Sequence, residues 1–512
     1  MRKEVLKAVI VVFIASFCTM VIELVAGRIM APYVGVSLYT WTSIIGVVLA
    51  GISIGAYVGG ILADRFPTPR TLGWLLFISG LAALSISPLT EAVARWPLQT
   101  SLMLRILTVT TVIFFLPSCL LGMISPVVVR LSLDRLERSG NVVGKIYAFS
   151  TLGSILGTFA TGFFLISWMG TRNILLLMAV ILITSSPFFG GAFLRKRVFL
   201  VLFPALLLFL WAIHGQAFKK QQDENSYFYE ETDYFTIELK KVEKNGRTLE
   251  AVVLDNLIHS YVDLEDPFYL EYSYERVYAE LVAWKAAANP EFRALVIGGG
   301  GYTFPRYLEA KYPGARIEVI EIDPRLTEVA YEYLALSQET RIHSFNQDAR
   351  WFLMNFPERK VYDFIFGDAF NDLTIPYHLT TREFSQLIHS LLKPDGLLIA
   401  NTIDHFERGL FLPSYVRTLQ EVFGRGKICL VADSDFSQMG INTIIVAGSP
   451  ADHRWQNIEE VSEGRCFVLP PKDLNQRFAS RPTVVLTDDH APVDNLVAPI
   501  FEERFGRKRE TE

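Results

Sequence analysis

Hydrophobic and polar positions divide this chain into two unlike halves. Up to about Gly215 the sequence runs in long apolar stretches, near 7–27, 41–62, 72–90, 104–129, 146–168, 173–193 and 197–214. A bilayer crossing takes about 20 mostly apolar residues, so a bundle of 6–7 membrane-spanning helices is predicted. Beyond Glu230 the apolar runs shorten and alternate with period two, at 234–239 and 249–254. Asn245-Gly246 stands between them, which signals a hairpin. A helix is predicted over 274–287. Strand and helix then alternate: a buried strand at 294–297, a helix at 304–312, a strand at 316–322, and Pro324 opening the next helix where proline is tolerated. Further strands are predicted at 341–345, 362–367 and 397–401. Such alternation predicts a doubly wound, mainly parallel α/β sheet of the Rossmann-like kind, with its ligand at the carboxyl ends of the strands. Three regions follow: 1–215, transmembrane helical; 225–272, a small β-strand part; and 273–500, a Rossmann-like nucleotide-binding catalytic domain.

Composition sharpens this picture in three places. Of the 512 residues 51% are hydrophobic, high for a soluble protein, and the excess lies almost wholly before Gly215. The net charge of -5 is spread without a long like-charge run, which argues against nucleic-acid binding. Cys18 and Cys119 lie in apolar runs as small hydrophobes, Cys429 and Cys466 are far apart, and together they make no metal or disulfide framework. The basic-then-apolar N-terminus is read as a first membrane helix rather than a signal peptide, because it contains Glu23, lacks a cleavage pattern and is followed by more spans. Gly51, Gly55 and Gly59, and again Gly153 and Gly157, recur on one helix face, where small residues let helices approach in lipid. Glu23 is a carboxylate inside an apolar run, either paired with Arg28 or serving transport or a substrate.

The candidate chemistry lies at the predicted strand ends. Gly298, Gly299, Gly300 and Gly301 follow the first parallel strand, where side-chain-free residues allow a sharp turn and close approach to a ligand. Glu321 ends the second strand, the position from which a carboxylate accepts both ribose hydroxyls of a nucleoside. Asp323 is next but one, and Asp348, after the third strand, is placed to meet an adenine amino group. Asp368 ends the fourth strand, beside the reacting centre unless it merely caps a turn.

Several of these residues stand in an order that resembles a known family. Glu231-Thr-Asp-Tyr234, Leu254-Asp255, Tyr274-Glu275, the glycine run, Glu321-Ile-Asp323, Gln347-Asp348, Asp368 and Leu379-Thr-Thr-Arg-Glu-Phe384 resemble the spermidine synthase (polyamine aminopropyltransferase) family over about 230–450. The apolar half, with Pro376-Tyr-His-Leu and Leu486-Thr-Asp-Asp-His-Ala-Pro-Val493, is similar to its membrane-fused members. In addition, Gly60-Ile-Leu-Ala-Asp64-Arg65 through Arg70 resembles a loop of major-facilitator transporters, whose charged residues clamp helix ends. The resemblance implies an S-adenosylmethionine-dependent-transferase fold. It also implies transfer of an aminopropyl group from decarboxylated S-adenosylmethionine to a polyamine amine, without a metal. Asp368 would then be the general base. Asp372 and Asp255, with Asp488 and Asp489 as further candidates, would line the site of a cationic acceptor, Tyr274 would lie near it, and His259 stands where the family has glutamine. Gly301 and Tyr302 occupy positions where the family has Asp and Gly, so donor selection is less firmly implied than nucleoside binding. Methyl transfer from intact S-adenosylmethionine, and a non-catalytic polyamine- or nucleotide-binding sensor or transport partner, are therefore the rival expectations. Twelve Lys and Arg residues fall on one set of loops and four on the other, which makes the first set cytoplasmic. A cytosolic nucleotide then favours a multi-pass protein of the cell membrane with a cytoplasmic soluble half, its last apolar run lying in the interface. The resemblance extends to a homodimer.

Overall fold

The computed structural model describes residues 3–35, 37–94, 102–133, 139–190, 225–255, 257–287, 289–369, 375–436 and 439–507. It divides into two units, Met1–Asp223 and Glu224–Glu512.

The first unit is helical: α1 Lys3–Val34, α2 Leu38–Arg65, α3 Pro69–Ala94, α4 Leu102–Gly122, α5 Ile124–Ser132, α6 Ser139–Ala160, α7 Ile166–Trp168 and α8 Thr171–Phe189. Among the described residues, six stretches are long and apolar enough to cross a membrane, α4 with α5 counting as one stretch and α6 running on to Leu165 in another. The run predicted at 197–214 lies outside the described residues.

The recurring glycines are where the helices touch. A β-carbon on Gly51 would fall 2.8 Å from the Ser118 side chain, and one on Gly59 would fall 2.6 Å from the Met123 backbone. One on Gly55, between them, would overlap the Cys119 carbonyl. Gly157 of α6 meets Phe17 of α1 at 2.7 Å in the same way. Polar groups add short links across these seams. Ser16 and Ser150 hydroxyls lie 2.6 Å apart, and Arg172 of α8 pairs with Glu91 of α3 at 2.8 Å. Asp64, in the last turn of α2, reaches Arg130 of α5 at 3.5 Å, an exposed pair of small energetic weight. Glu23 is half-buried on α1.

The second unit holds two sheets. Strands β1 Ser226–Glu231, β2 Thr236–Lys244, β3 Arg247–Leu254 and β4 Leu257–Val262 form an antiparallel meander. Asn245 and Gly246 both have positive φ, the turn geometry that the dipeptide signals. The eight-stranded sheet comprises β5 Arg293–Ile297, β6 Arg316–Glu321, β7 His343–Asn346, β8 Tyr362–Gly367, β9 Leu392–His405, β10 Ile428–Ala432, β11 Ile441–Gly448 and β12 Phe467–Leu469. Its spatial order is β12-β10-β11-β9-β8-β5-β6-β7. The segment from β9 to β7 is parallel, as the strand–helix alternation predicts, whereas β11, β10 and β12 extend it antiparallel. The chain winds outward from β5 through β6 to β7, then returns to lay β8 on the other flank of β5. That reversal opens a crevice beyond the carboxyl ends of β5 and β8, the ligand position of open α/β sheets.

The helix seams carry a direct test. Gly55→Leu should lower the unfolding midpoint of the detergent-solubilised bundle, because its side chain has only the Cys119 backbone to displace. Gly60→Leu, on the same helix where a β-carbon meets nothing within 4 Å, should leave it unchanged.

Candidate active site

The glycine loop and the end of β8 are built around each other. The φ of Gly298 is +100°, and a β-carbon there would lie 2.5 Å from the Asp368 carbonyl oxygen. The Gly298 N–H donates to Ile320 O and the Asp368 N–H to Ile297 O, both at 2.9 Å, tying the loop to the neighbouring strands. Gly300 also has positive φ. Glu321 is buried and accepts from Gly299 N–H at 2.8 Å and from Asp323 N–H at 3.0 Å; the Gly300 N–H also faces it. Burial still pushes its carboxyl above the ordinary range. The Gly301 N–H donates to the Ser260 hydroxyl at 2.9 Å.

Two cavities meet at this loop. The first, about 210 Å³, is lined by Tyr234, Leu254, Glu321, Gln347, Asp348 and His378, among others. The second, about 460 Å³, is lined by Tyr272, Tyr274, Glu275, Tyr278, Asn401 and Thr443, among others. His259, Gly298, Gly300 and Asp368 line both. Asp368 therefore stands at the junction. Its Oδ1 accepts from Asn401 Nδ2 at 2.9 Å, and Tyr274 also faces it. Burial raises its carboxyl to about 6, against the stabilising pull of Asn401 and Tyr274. His259 is held neutral by burial, its pKa lowered to about 4.

The remaining predicted residues are placed differently. Asp323 is a helix cap: it accepts from Arg325 N–H at the start of α11, Pro324–Tyr333 in the order that continues through α9 Ser273–Ala286 and α10 Thr303–Lys311, and from Thr232 at 2.5 Å. Asp348 lines the first cavity and also caps α12, Ala349–Asn355, while its Oδ2 lies 3.1 Å from His378 Nε2. Asp255 has positive φ and accepts from Thr236 N–H at 3.0 Å, pinning the β3–β4 turn to β2; it lines neither cavity. Asp488 is bound by Arg350 and by the Thr381 hydroxyl, and Asp489 likewise lines neither cavity. Asp372 lies outside the described residues.

Gly301 and Tyr302 have structural reasons for their identity. A β-carbon at 301 would fall 2.7 Å from Ser260 Cβ and 2.8 Å from Val262 Cγ2, so no larger side chain fits there. Tyr302 adopts φ +57°, a conformation that favours glycine. Its ring is fully buried, and its hydroxyl lies 3.1 Å from Thr327 Oγ1 and 3.0 Å from Ser344 Oγ, which offsets the strain. Sequence reasoning assigned no role to Glu275, Tyr278 or Asn401. The signal for Asn401 is a polar residue closing the apolar run Leu397-Leu-Ile-Ala. Glu275 and Tyr278 stand three apart on one face of the helix that carries Tyr274.

Comparison with known proteins is consistent with this geometry. The family model described as the spermine/spermidine synthase domain matches residues 273–450. A polyamine aminopropyltransferase of Vibrio vulnificus is 36% identical over 221 residues, covering 41% of this chain and 70% of that protein. Polyamine aminopropyltransferase 2 of Aquifex aeolicus is 22% identical over 468 residues, covering 88% of each. An N-terminal histidine N-methyltransferase of Emericella nidulans is 31% identical over 234 residues, covering 43% of this chain and 38% of that protein.

The burial of Asp368 has a measurable cost. Because its folded pKa is raised, its contribution to stability is fully present below the ordinary carboxylate range and is lost as pH rises through about 6. That loss is about 3 kcal/mol. Asp368→Asn should therefore unfold at a higher temperature than the parent at pH 8, with the two midpoints converging near pH 4.

Proposed function

The chain belongs to the polyamine aminopropyltransferase family of transferases, and from that premise we propose that it moves an aminopropyl group from decarboxylated S-adenosylmethionine to a polyamine amine. The observation that carries the reading is the position of Asp368, shared by a cavity suited to a nucleoside and one suited to an amine.

The first cavity would hold the nucleoside. Glu321 has lone pairs left on both oxygens for the ribose hydroxyls, and Asp348 and Gln347 would face the base. The acceptor would lie in the second cavity, whose lining includes Asp368 and Glu275 but, among the described residues, no Lys or Arg. An amine arriving as an ammonium gives its proton to Asp368. The freed nitrogen lone pair attacks the methylene carbon beside the sulfonium, a carbon–nitrogen bond forms, and the carbon–sulfur bond breaks with its electrons going to sulfur. Methylthioadenosine leaves. Positioning of the two reactants supplies much of the rate, and the carboxylate contributes roughly 10²–10⁴-fold as general base.

Methyl transfer is the second reading, favoured by the likeness to the Emericella nidulans N-methyltransferase. It requires a place for the donor's carboxylate. The N–H groups of Gly299, Gly300 and Gly301 are engaged by Glu321 and Ser260, and both lining carboxylates would repel that group. This favours the decarboxylated donor. The six stretches long and apolar enough to cross a membrane among the described residues support a membrane-bound protein, as does the match to the Aquifex aeolicus protein over 88% of this chain. The excess of Lys and Arg on one set of loops supports a cytoplasmic soluble unit.

Detergent-purified protein supplied with each donor and a diamine distinguishes the readings by product mass. Methylthioadenosine is expected, and S-adenosylhomocysteine in its place would sink the proposal. Asp368→Asn should lower kcat at least 100-fold. In the parent, kcat/KM should rise tenfold per pH unit below about 6 and level off above it, since only the ionised Asp368 accepts the proton.

A further inference from the structure

One wall of the first cavity is a single helical turn, Tyr377–Leu379, which contributes His378 and Leu379 to the lining. A turn this short gains little from its own hydrogen bonds. Those bonds are local, Leu379 N–H to Pro376 O at 2.9 Å and Thr380 N–H to Tyr377 O at 3.0 Å. The turn is held against the domain by two grips on one residue. His378 Nε2 lies 3.1 Å from Asp348 Oδ2, and the His378 carbonyl accepts from Arg350 Nη1 at 2.9 Å. Asp348 caps α12 and Arg350 is its second residue. The side chain and the main chain of His378 are therefore fixed by the start of one helix.

Arg350 is itself held from a distant part of the chain. Asp488 Oδ1 accepts from Arg350 Nη1 at 2.7 Å and Oδ2 accepts from Nη2, the fork that gives an arginine–carboxylate pair its direction. The Thr381 hydroxyl donates to Asp488 Oδ1 at 2.8 Å and accepts from Arg350 Nη1 at 3.2 Å. Thr381 also caps the next helix, α13 Arg382–Leu391. Asp488 is anchored to that helix as well. Its N–H donates to Glu383 Oε2 at 3.0 Å, and Leu486 O accepts from Arg382 N–H at 2.8 Å. Asp488 thus joins the cavity wall to α12 and α13 while lining neither cavity.

As a device for stability alone this link is weak. The Asp488 side chain is 42% exposed, and an ion pair so placed contributes little. Its contribution is direction. Three acceptors, His378 O, Thr381 Oγ1 and Asp488 Oδ1, converge on one nitrogen of Arg350. Without the fork, the guanidinium is free to turn away from the His378 carbonyl, and the wall loses its main-chain grip. A cavity formed in only a fraction of the molecules binds with an affinity reduced by that fraction.

We propose that Asp488 is a positioning residue for the nucleoside. Acting through Arg350, it holds the Tyr377–Leu379 turn and the His378 imidazole against Asp348, so that the first cavity is formed before its ligand arrives. This rests on the reading of that cavity as the nucleoside site, which aminopropyl and methyl transfer share. Asp488 touches no reactant, so it governs affinity for the donor and leaves the acceptor and the chemical step alone.

The test titrates the detergent-purified full chain calorimetrically with methylthioadenosine and with S-adenosylhomocysteine. Asp488→Asn removes the charge and one acceptor of the fork. It should weaken nucleoside Kd about tenfold and raise KM for the donor to match, with kcat and the KM for 1,4-diaminobutane within a few-fold of the parent. Asp488→Glu, which keeps the carboxylate, should recover part of the affinity. Arg350→Lys keeps the charge and loses the fork; it should repeat the Asn pattern, and it carries the test if the Asn variant unfolds early. The two changes together should weaken binding no further than either alone, because both break one link. An unchanged nucleoside Kd overturns the assignment, as does a loss confined to the diamine or one spread over kcat and both KM values. If the parent releases no methylthioadenosine on turnover, aminopropyl transfer fails as a reading, while a tenfold weaker nucleoside Kd in Asp488→Asn still supports the positioning role. If the parent binds neither nucleoside, the positioning role falls with the site.

Discussion

The carbonyl oxygen of Asp368 lies 2.5 Å from where a β-carbon on residue 298 would stand, and the rest of the site is arranged around that proximity. Two parallel strands, β5 and β8, end side by side, and the chain leaves each in a different direction. Only a residue without a side chain, at a φ of +100°, turns the first strand away without striking the second. The loop so formed presents its N–H groups to Glu321 from one side and to Ser260 from the other. It thereby becomes the partition between two cavities, with Asp368 at its edge.

Electrostatics follow from the same crowding. Glu275 is buried and Asp368 half-buried near the loop, and desolvation raises the proton affinity of both. Carboxylates in such surroundings await a cation or a proton, which makes the region costly to fold and reactive when filled. Other acidic residues have been drawn into the scaffold. Asp323 and Asp348 cap helices, Asp255 pins a turn, and Asp488 is held by Arg350. Tyr302 shows how a departure from the expected glycine is tolerated, since a buried ring and two hydroxyl partners hold a strained backbone in place.

The helical unit solves a different problem. Helices long and apolar enough to cross a membrane gain little from hiding apolar surface from lipid, so their association depends on close packing. Gly51, Gly55, Gly59, Gly153 and Gly157 supply it by letting backbone meet backbone. The Ser16–Ser150 hydroxyl pair and the Arg172–Glu91 ion pair add polar links across the seams.

The sequence by itself determined the division into an apolar helical half and an α/β half, the hairpin at Asn245-Gly246, the parallel strand series and the glycine loop. These are local properties: hydrophobic period, turn chemistry and the freedom of glycine act over a few neighbouring residues. The acidic residues at strand ends were visible too, yet their tasks were not. Glu321 and Asp323 are two residues apart and look alike in the sequence, but one faces the first cavity and the other caps a helix. The antiparallel extension of the sheet beyond β9, the partnership of Asn401 with Asp368, and the grip of Asp488 on Arg350 were decided only in three dimensions. Each brings together segments far apart in the chain, and what a carboxylate does depends on which distant donors and walls surround it.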